Sequence, residues 1–392
     1  MVNCLSNNYD NKSFPVLKRC TRCILPETFP GIEFNDQGVC NYCESYEPVR
    51  VFGEKALEKK LDSYRNTSQK YDCIVPISGG RDSTYVLYKI IKEYDMRALA
   101  ITYDSGFITP EGHRNVKRVI DALKVDHFTI RNEDKIRIAK RNAVKRFSAW
   151  LRSPSINTIV PTLNSGDKTM NLQMYNYASQ KGIPLMLGGN NIGNSNFEQE
   201  HWKTGFMNIF PDERGIYSTP DKIKLVMMFG YEFFKNPYNY DLPIFKEYLE
   251  GIGVYFFEAL LKPKGVDSLG FYDYVYWNED EILSTIAQEL GWEGASDTST
   301  TWRVDDIAYP LINYIYYNLV GFSEHDEMYS KMIRENQISR EDGLQRCKLD
   351  QQPRMKSLNA LFKELQVSKS EVDQVLTSYL KKLMSNGLRP CD

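Results

Sequence analysis

Ile74-Val75-Pro76-Ile77 runs straight into Ser78-Gly79-Gly80-Arg81-Asp82-Ser83-Thr84 and then into Tyr85-Val86-Leu87-Tyr88-Lys89-Ile90-Ile91, which reads as strand, loop and helix in that order. Two adjacent glycines let the backbone turn tightly and approach an anion. The helix that follows presents free amides and the positive end of its dipole to the same place. Ser78, Ser83 and Thr84 add hydroxyl donors, so polyphosphate is the natural ligand. Neither the GxxxxGK[ST] phosphate loop nor the GxGxxG dinucleotide fingerprint is present. A plain Gly-Gly turn between strand and helix is the competing reading.

Outward from this loop, short apolar runs alternate with amphipathic stretches, the pattern of βα units around a parallel sheet. Strands are predicted over Asp72 to Ile77, Ala98 to Tyr103, His127 to Arg131 and Pro184 to Leu187, and helices over Thr84 to Tyr94, Glu111 to Leu123 and Thr169 to Lys181. Past residue 220 or so the strand signal fades. Ile307 to Leu319, Glu324 to Asn336 and Ser357 to Met384 carry helical periodicity, with capping serines at Ser339 and Ser368. The expectation is an α/β fold with a doubly wound parallel sheet, an N-terminal metal module and a helical C-terminal region. It divides at 1–66 (metal module and linker, with Glu54 to Lys70 helical), 67–220 (nucleotide-binding α/β domain) and 221–392 (mainly helical domain). Ligands in open α/β sheets sit beyond the carboxyl ends of the strands, which places Thr102, Tyr103, Ser105, Gly188 and Asn190 around a nucleotide.

Cys20-x2-Cys23-x16-Cys40-x2-Cys43 has the spacing of a tetrahedral four-cysteine zinc site. A closed shell of thiolates leaves no open coordination position, so the zinc is expected to be structural. Reduced core cysteines or a redox pair are the alternatives. Cys4, Cys73, Cys347 and Cys391 are scattered and read as ordinary thiols.

The 49 basic and 51 acidic side chains nearly cancel, and no basic block stands out, which argues against nucleic acid as the partner. Met1 to Pro15 is polar and lacks the pattern of a signal or transit peptide, and no apolar run is long enough to span a bilayer. A cytoplasmic location is expected. His113, His127, His201 and His325 show no metal-binding spacing. The aromatic run Phe271 to Trp277 reads as core packing more readily than as a platform for a sugar ring or base.

SGGRDST over Ser78 to Thr84 resembles, residue for residue, the SGGxDS/T signature of the PP-loop ATP pyrophosphatases. With it stand Cys20-Thr21-Arg22-Cys23-Ile24-Leu25-Pro26, Gly38-Val39-Cys40-Asn41-Tyr42-Cys43, Thr301-Trp302-Arg303-Val304-Asp305, Gly321-Phe322-Ser323-Glu324 and Met332-Ile333-Arg334. Together these stretches make most of the chain similar to the N-acetyl sugar amidotransferases. Those PP-loop enzymes make acetamidino sugars for bacterial surface polysaccharides and nonulosonic acids.

The resemblance implies that ATP is cut at its α-phosphate, that an acetamido oxygen is adenylated, and that ammonia displaces AMP. It implies Ser78, Gly79, Gly80, Asp82, Ser83 and Thr84 as pyrophosphate contacts, Asp82 as a Mg²⁺ partner, and adenine and ribose at the strand ends. Arg303 and Arg334 become candidates for substrate or α-phosphate contacts, and Asp305 or Asp306 for orienting an arginine or holding metal. No cysteine lies in a glutaminase context. The ammonia is therefore expected from a glutaminase and a channel subunit similar to the pair that feeds histidine biosynthesis. The acceptor would be an N-acetylated sugar or nucleotide sugar. A PP-loop enzyme acting on tRNA, and a nonenzymatic zinc-containing scaffold, are the competing functions.

Overall fold

A computed structural model of the chain describes residues 17–65, 68–163, 167–189, 205–210, 217–247, 249 and 261–385. Five parallel strands form one sheet: β1 (Cys73–Pro76), β2 (Ala98–Asp104), β3 (Asp126–Arg131), β4 (Leu185–Gly188) and β5 (Asp267–Gly270). Their spatial order is β3-β2-β1-β4-β5, so the direction of winding reverses between β1 and β4. Alternation along each strand builds the two faces. Cys73, Val75 and Ile77, with Ala98, Ala100, Leu185 and Leu187, point into a core shared with Leu57, Val86, Ile90, Val119 and Phe271. Ile74, Leu99, Ile101 and Met186 point the other way, against Met174, Tyr175 and Ala178. Each buried aliphatic side chain contributes roughly 1.5–3 kcal/mol relative to exposure. Such a two-sided pattern is what a sheet covered on both faces demands.

The expected strands and helices of the first half are present to within a few residues, with helices at Arg81–Lys92, Pro110–Leu123 and Asp167–Gln180. Beyond residue 220 the all-helical expectation needs correction. β5 joins the sheet beside β4 in the register Leu185↔Asp267 through Gly188↔Gly270, so the expected division at 220 falls between two neighbouring strands. Its sequence, Asp-Ser-Leu-Gly, is too short and polar to show alternation, and it is held as an edge by pairing.

The helix expected over 357–384 is two helices, Met355–Leu365 and Lys369–Ser385, broken where Gln366 takes a left-handed φ of 59°. Ser368 accepts from Glu371 N at 3.2 Å and Ser339 from Asp342 N at 3.1 Å, as capping predicts. The predicted helix from Glu54 stops at Asp62. A long helix at Glu133–Arg152, and others at Thr219–Lys235 and Glu279–Leu290, were not anticipated.

The N-terminal module does not stand apart. Its four cysteines, Leu25 and Phe29 share a core with Phe147, Trp150, Leu311, Ile315 and Phe322. Ile24 N donates to Ser330 Oγ at 3.2 Å, Thr28 Oγ1 to Val320 O at 2.6 Å, and Arg19 Nη1 to Asp326 Oδ1 at 2.6 Å. The bonds to Ser330 and Asp326 seat the module on the Glu324–Arg334 helix, and that to Val320 on the end of the Tyr309–Val320 helix. Among the described residues no helix is long and apolar enough to cross a membrane.

Candidate nucleotide site and metal centre

The glycine-rich loop leaves the carboxyl end of β1 at the reversal of winding, where α/β sheets open a crevice. Gly79 has φ +87°, and a Cβ there would lie 2.1 Å from Gly112 O, so only glycine fits. Its carbonyl accepts from Trp292 Nε1 at 2.9 Å and from Asn115 Nδ2 at 3.2 Å. In a trans peptide the next N–H, that of Gly80, points the opposite way. Gly80 is the N-cap of the Arg81–Lys92 helix, whose first amides and dipole face the loop. Ser78 and Ser83 brace one another, Oγ to Oγ at 3.1 Å, and both are half-buried. The result is a rigid nest of backbone donors and hydroxyls suited to an anion.

Asp82 extends from the first turn with its side chain a quarter exposed at 24%. Trp277 Nε1 donates to its Oδ1 at 2.8 Å. Burial raises its pKa above the ordinary carboxylate range, opposed by Arg81, the Trp277 bond and Arg303 and assisted by the Asp305 carboxylate. A cation between Asp82 and Asp305 would relieve that repulsion.

The segment Thr301–Asp306 forms a strap over the loop. Thr109 N donates to Asp305 O at 3.1 Å, Thr109 Oγ1 to Val304 O at 2.6 Å, and Ile307 N to Phe107 O at 3.1 Å. A Cβ on Gly80 would lie 2.9 Å from Asp305 Oδ2, which sets that carboxylate directly against the loop. Asp306 instead accepts from Ala308 N at 2.7 Å and starts the Tyr309–Val320 helix. Arg303 has φ 50°, a conformation costing about 1–3 kcal/mol outside glycine. Its guanidinium lies 4.0 Å over the Tyr309 ring and its Nε 3.5 Å from Glu324 Oε2. Asp305 is thus brought to the loop from more than two hundred positions along the chain, while Arg303 turns to Tyr309 and Glu324 with its charge acting on Asp82.

Other expected contacts are placed differently. Arg334 packs 4.9 Å over the Tyr46 ring, with its charge beside Cys23 and Cys43, so it faces the cysteine module and not the loop. Thr84 is fully buried in the first turn of the helix, its hydroxyl without a hydrogen-bond partner among the described residues. Thr102 is also buried; its hydroxyl donates to Ile77 O at 2.8 Å and lies 2.9 Å from His127 Nε2, tying β1 to β3. Tyr103 accepts from Gln173 Nε2 at 3.2 Å, and Ser105 is half-buried at the mouth of the crevice. Gly188 closes β4 opposite Gly270. Asn190 lies outside the described residues.

Sequence reasoning missed Asn115, Trp277, Trp292 and Glu279, which hold the loop from behind. The run Phe271 to Trp277 does pack as core, with Phe271, Tyr272 and Trp277 buried.

The four cysteines converge. Cys20 Sγ lies 3.9 Å from Cys43 Sγ and Cys23 Sγ 3.7 Å from Cys40 Sγ, and all four sulfurs are buried and lie within 4.8 Å of one another. Metal–sulfur bonds of about 2.3 Å at a tetrahedron's corners put sulfurs about 3.8 Å apart, so the set fits a four-coordinate metal ion. Cys40 N and Cys23 N point at Cys20 Sγ, at 3.2 and 3.4 Å. Arg340 donates to Cys20 O and Cys23 O at 3.0 and 2.9 Å, and Arg22 to Cys43 O at 3.1 Å, placing positive charge around the thiolates.

Residues 297–385 match the model of the C-terminal domain of WbpG-like LPS biosynthesis proteins. The strap and the helices after it are therefore similar to that domain, in agreement with the resemblance to enzymes of surface-polysaccharide synthesis. An uncharacterized protein of Methanocaldococcus jannaschii is 26% identical over 120 residues, covering 30% of this chain and 43% of that protein's own length. Solved structures similar in part include an NMN synthetase from Francisella tularensis, at 19% identity and TM-score 0.25 over 48% of this chain and 73% of that one. An ammonia-dependent NAD synthetase from Campylobacter jejuni matches at 13% and 0.26 over 52% and 96%. A U34-tRNA thiolase from Methanococcus maripaludis with an iron–sulfur cluster matches at 14% and 0.31 over 84% and 89%. At these scores the PP-loop fold rests on the strand order and loop described above.

Proposed function

We propose that the chain is an ATP-dependent, AMP-forming amidotransferase that converts the acetamido group of an N-acetylated bacterial sugar into an acetamidino group. The observation that carries this reading is the juxtaposition of an intact SGGRDST loop at the sheet's reversal point with a strap from a WbpG-like domain. The loop's amides, Ser78 and Ser83 hold the β- and γ-phosphates as one leaving group. The acetamido oxygen attacks the α-phosphorus and pyrophosphate departs, leaving an O-adenylyl imidate. Ammonia adds to the imidate carbon, loses a proton, and expels AMP, which carries away the original acetyl oxygen. The protein's task is to align the oxygen with the P–O bond and to balance charge on the phosphoryl group.

Arg303 is assigned to the α-phosphate, and Asp82 and Asp305 would hold Mg²⁺, which would supply neutralisation of the phosphates' charge. The cysteine module is assigned a structural zinc. Ammonia is assigned to a separate glutaminase with a channel subunit.

The test is incubation with Mg²⁺-ATP, an ammonium salt and a panel of N-acetylated sugars and nucleotide sugars, followed by mass measurement and assays for AMP and pyrophosphate. A sugar lighter by about 1 Da, formed together with AMP, supports the reading, because NH replaces O while the amide geometry is kept. AMP without a changed sugar moves the acceptor elsewhere. No AMP with any acceptor, even with a glutaminase partner, overturns the enzyme reading.

A further inference from the structure

Arg81 sits inside the phosphate loop, yet its side chain turns away from the ligand face and is 2% exposed. A cation at the first position of a helix is disfavoured by the dipole, so its placement needs a compensating partner. It has several. The guanidinium donates in its plane to Glu279 Oε1 and Thr301 Oγ1, and approaches Met328 Sδ at 3.7 Å. Its faces meet two indoles, Trp302 at 4.7 Å and Trp277 at 5.1 Å. Glu279 is shared with Arg346 at 2.5 Å. Arginine alone among the side chains can donate in plane while stacking aromatic rings on its faces.

Each partner leads to a different part of the site. Thr301 and Trp302 begin the strap that sets Asp305 against Gly80. Trp277 donates to Asp82. Met328 lies on the helix whose Glu324 pairs with Arg303. We infer that Arg81 is a positioning residue: it joins the phosphate loop to the Thr301–Asp306 strap, so that filling of the loop and seating of Arg303 and Asp305 are one event. This rests on reading the loop as the ATP site.

The experiment follows backbone hydrogen exchange with and without Mg²⁺-ATP, together with ATP affinity by calorimetry, in the full chain and in Arg81→Met and Arg81→Lys. In wild type, ATP should slow exchange in both 78–84 and 301–307. In Arg81→Met the protection of 78–84 should persist while that of 301–307 is lost. AMP-forming turnover should fall about 100-fold, the usual consequence of an ångström of misplacement. Arg81→Lys, which keeps the charge for Glu279 but not the planar fork, should recover part of the strap protection, and it serves if the methionine variant does not fold. Wild type that fails to bind Mg²⁺-ATP would overturn the nucleotide reading itself. Wild type that binds, with undiminished strap protection in the variants, would overturn the role given to Arg81 alone. So would loss of protection in 78–84, because Arg81 would then be serving the loop.

Discussion

Replacing Gly79 by alanine tests the loop most directly. A left-handed φ costs an L-residue about 1–2 kcal/mol, and the new Cβ would meet Gly112 O at 2.1 Å, a backbone atom that cannot rotate aside. Relief to an ordinary contact of 3.4 Å requires a shift of about 1.3 Å, and such overpacking costs about 1–3 kcal/mol. The sum is a destabilisation of about 2–5 kcal/mol, read by thermal or denaturant unfolding. Because the shift displaces the Gly80 amide, Mg²⁺-ATP affinity should fall by about 100-fold or more, read by calorimetry. Gly53→Ala is the control: φ is +88° but nothing lies within 4 Å of the new Cβ, so it should show the strain without the loss of affinity. A Gly79→Ala protein with wild-type stability and wild-type ATP binding would refute this account of the loop.

Asp305→Asn should lower AMP formation by about 100- to 1000-fold with little effect on folding, checked by turnover and by circular dichroism. Asp82→Asn should make the protein more stable at neutral pH. The folded pKa of Asp82 is raised, so the stability penalty from this carboxylate grows as pH rises through that value, and the advantage of the variant should vanish at pH below the ordinary carboxylate range. Unfolding curves at several pH values, with Mg²⁺-ATP stabilising wild type but not the variant, check both sides. Cys40→Ser, or a strong chelator, should release bound zinc and lower the melting temperature of the whole chain, since the cysteines share a core with Leu311 and Phe322. With the acetyl oxygen of the acceptor labelled as ¹⁸O, the label should appear in AMP; unlabelled AMP would exclude adenylation of that oxygen.

The loop, the first four strands and the cysteine site were legible because each is local: glycines beside a strand end, alternating apolar residues, and paired thiols at fixed spacing. β5 was not, since Asp267 to Gly270 gains its extended form from β4 and not from its own residues. Arg303 and Asp305 were legible as chemistry but not as geometry. Asp305 reaches the loop through backbone bonds to Thr109, and nothing in the strap's composition points to that partner. Arg334 and Thr84 show the converse. Each has the residue type the site asks for, but Arg334 stacks on Tyr46 beside the cysteine module and Thr84 is buried. Arg81 was hidden by its own motif, where a variable position between Gly80 and Asp82 reads as solvent-facing.

The strap carries a consequence for how the chain comes into being. Synthesis delivers the phosphate loop early and Asp305 late, with the helix that bears Glu324 and Met328 later still. A chain still on the ribosome at residue 300 has the loop's own residues but neither Arg303 nor Asp305. The same helix, through Ser330 and Asp326, also receives the cysteine module. On the proposed function, the site is therefore completed only once the Glu324–Arg334 helix, which meets both the strap and the cysteine module, has been made.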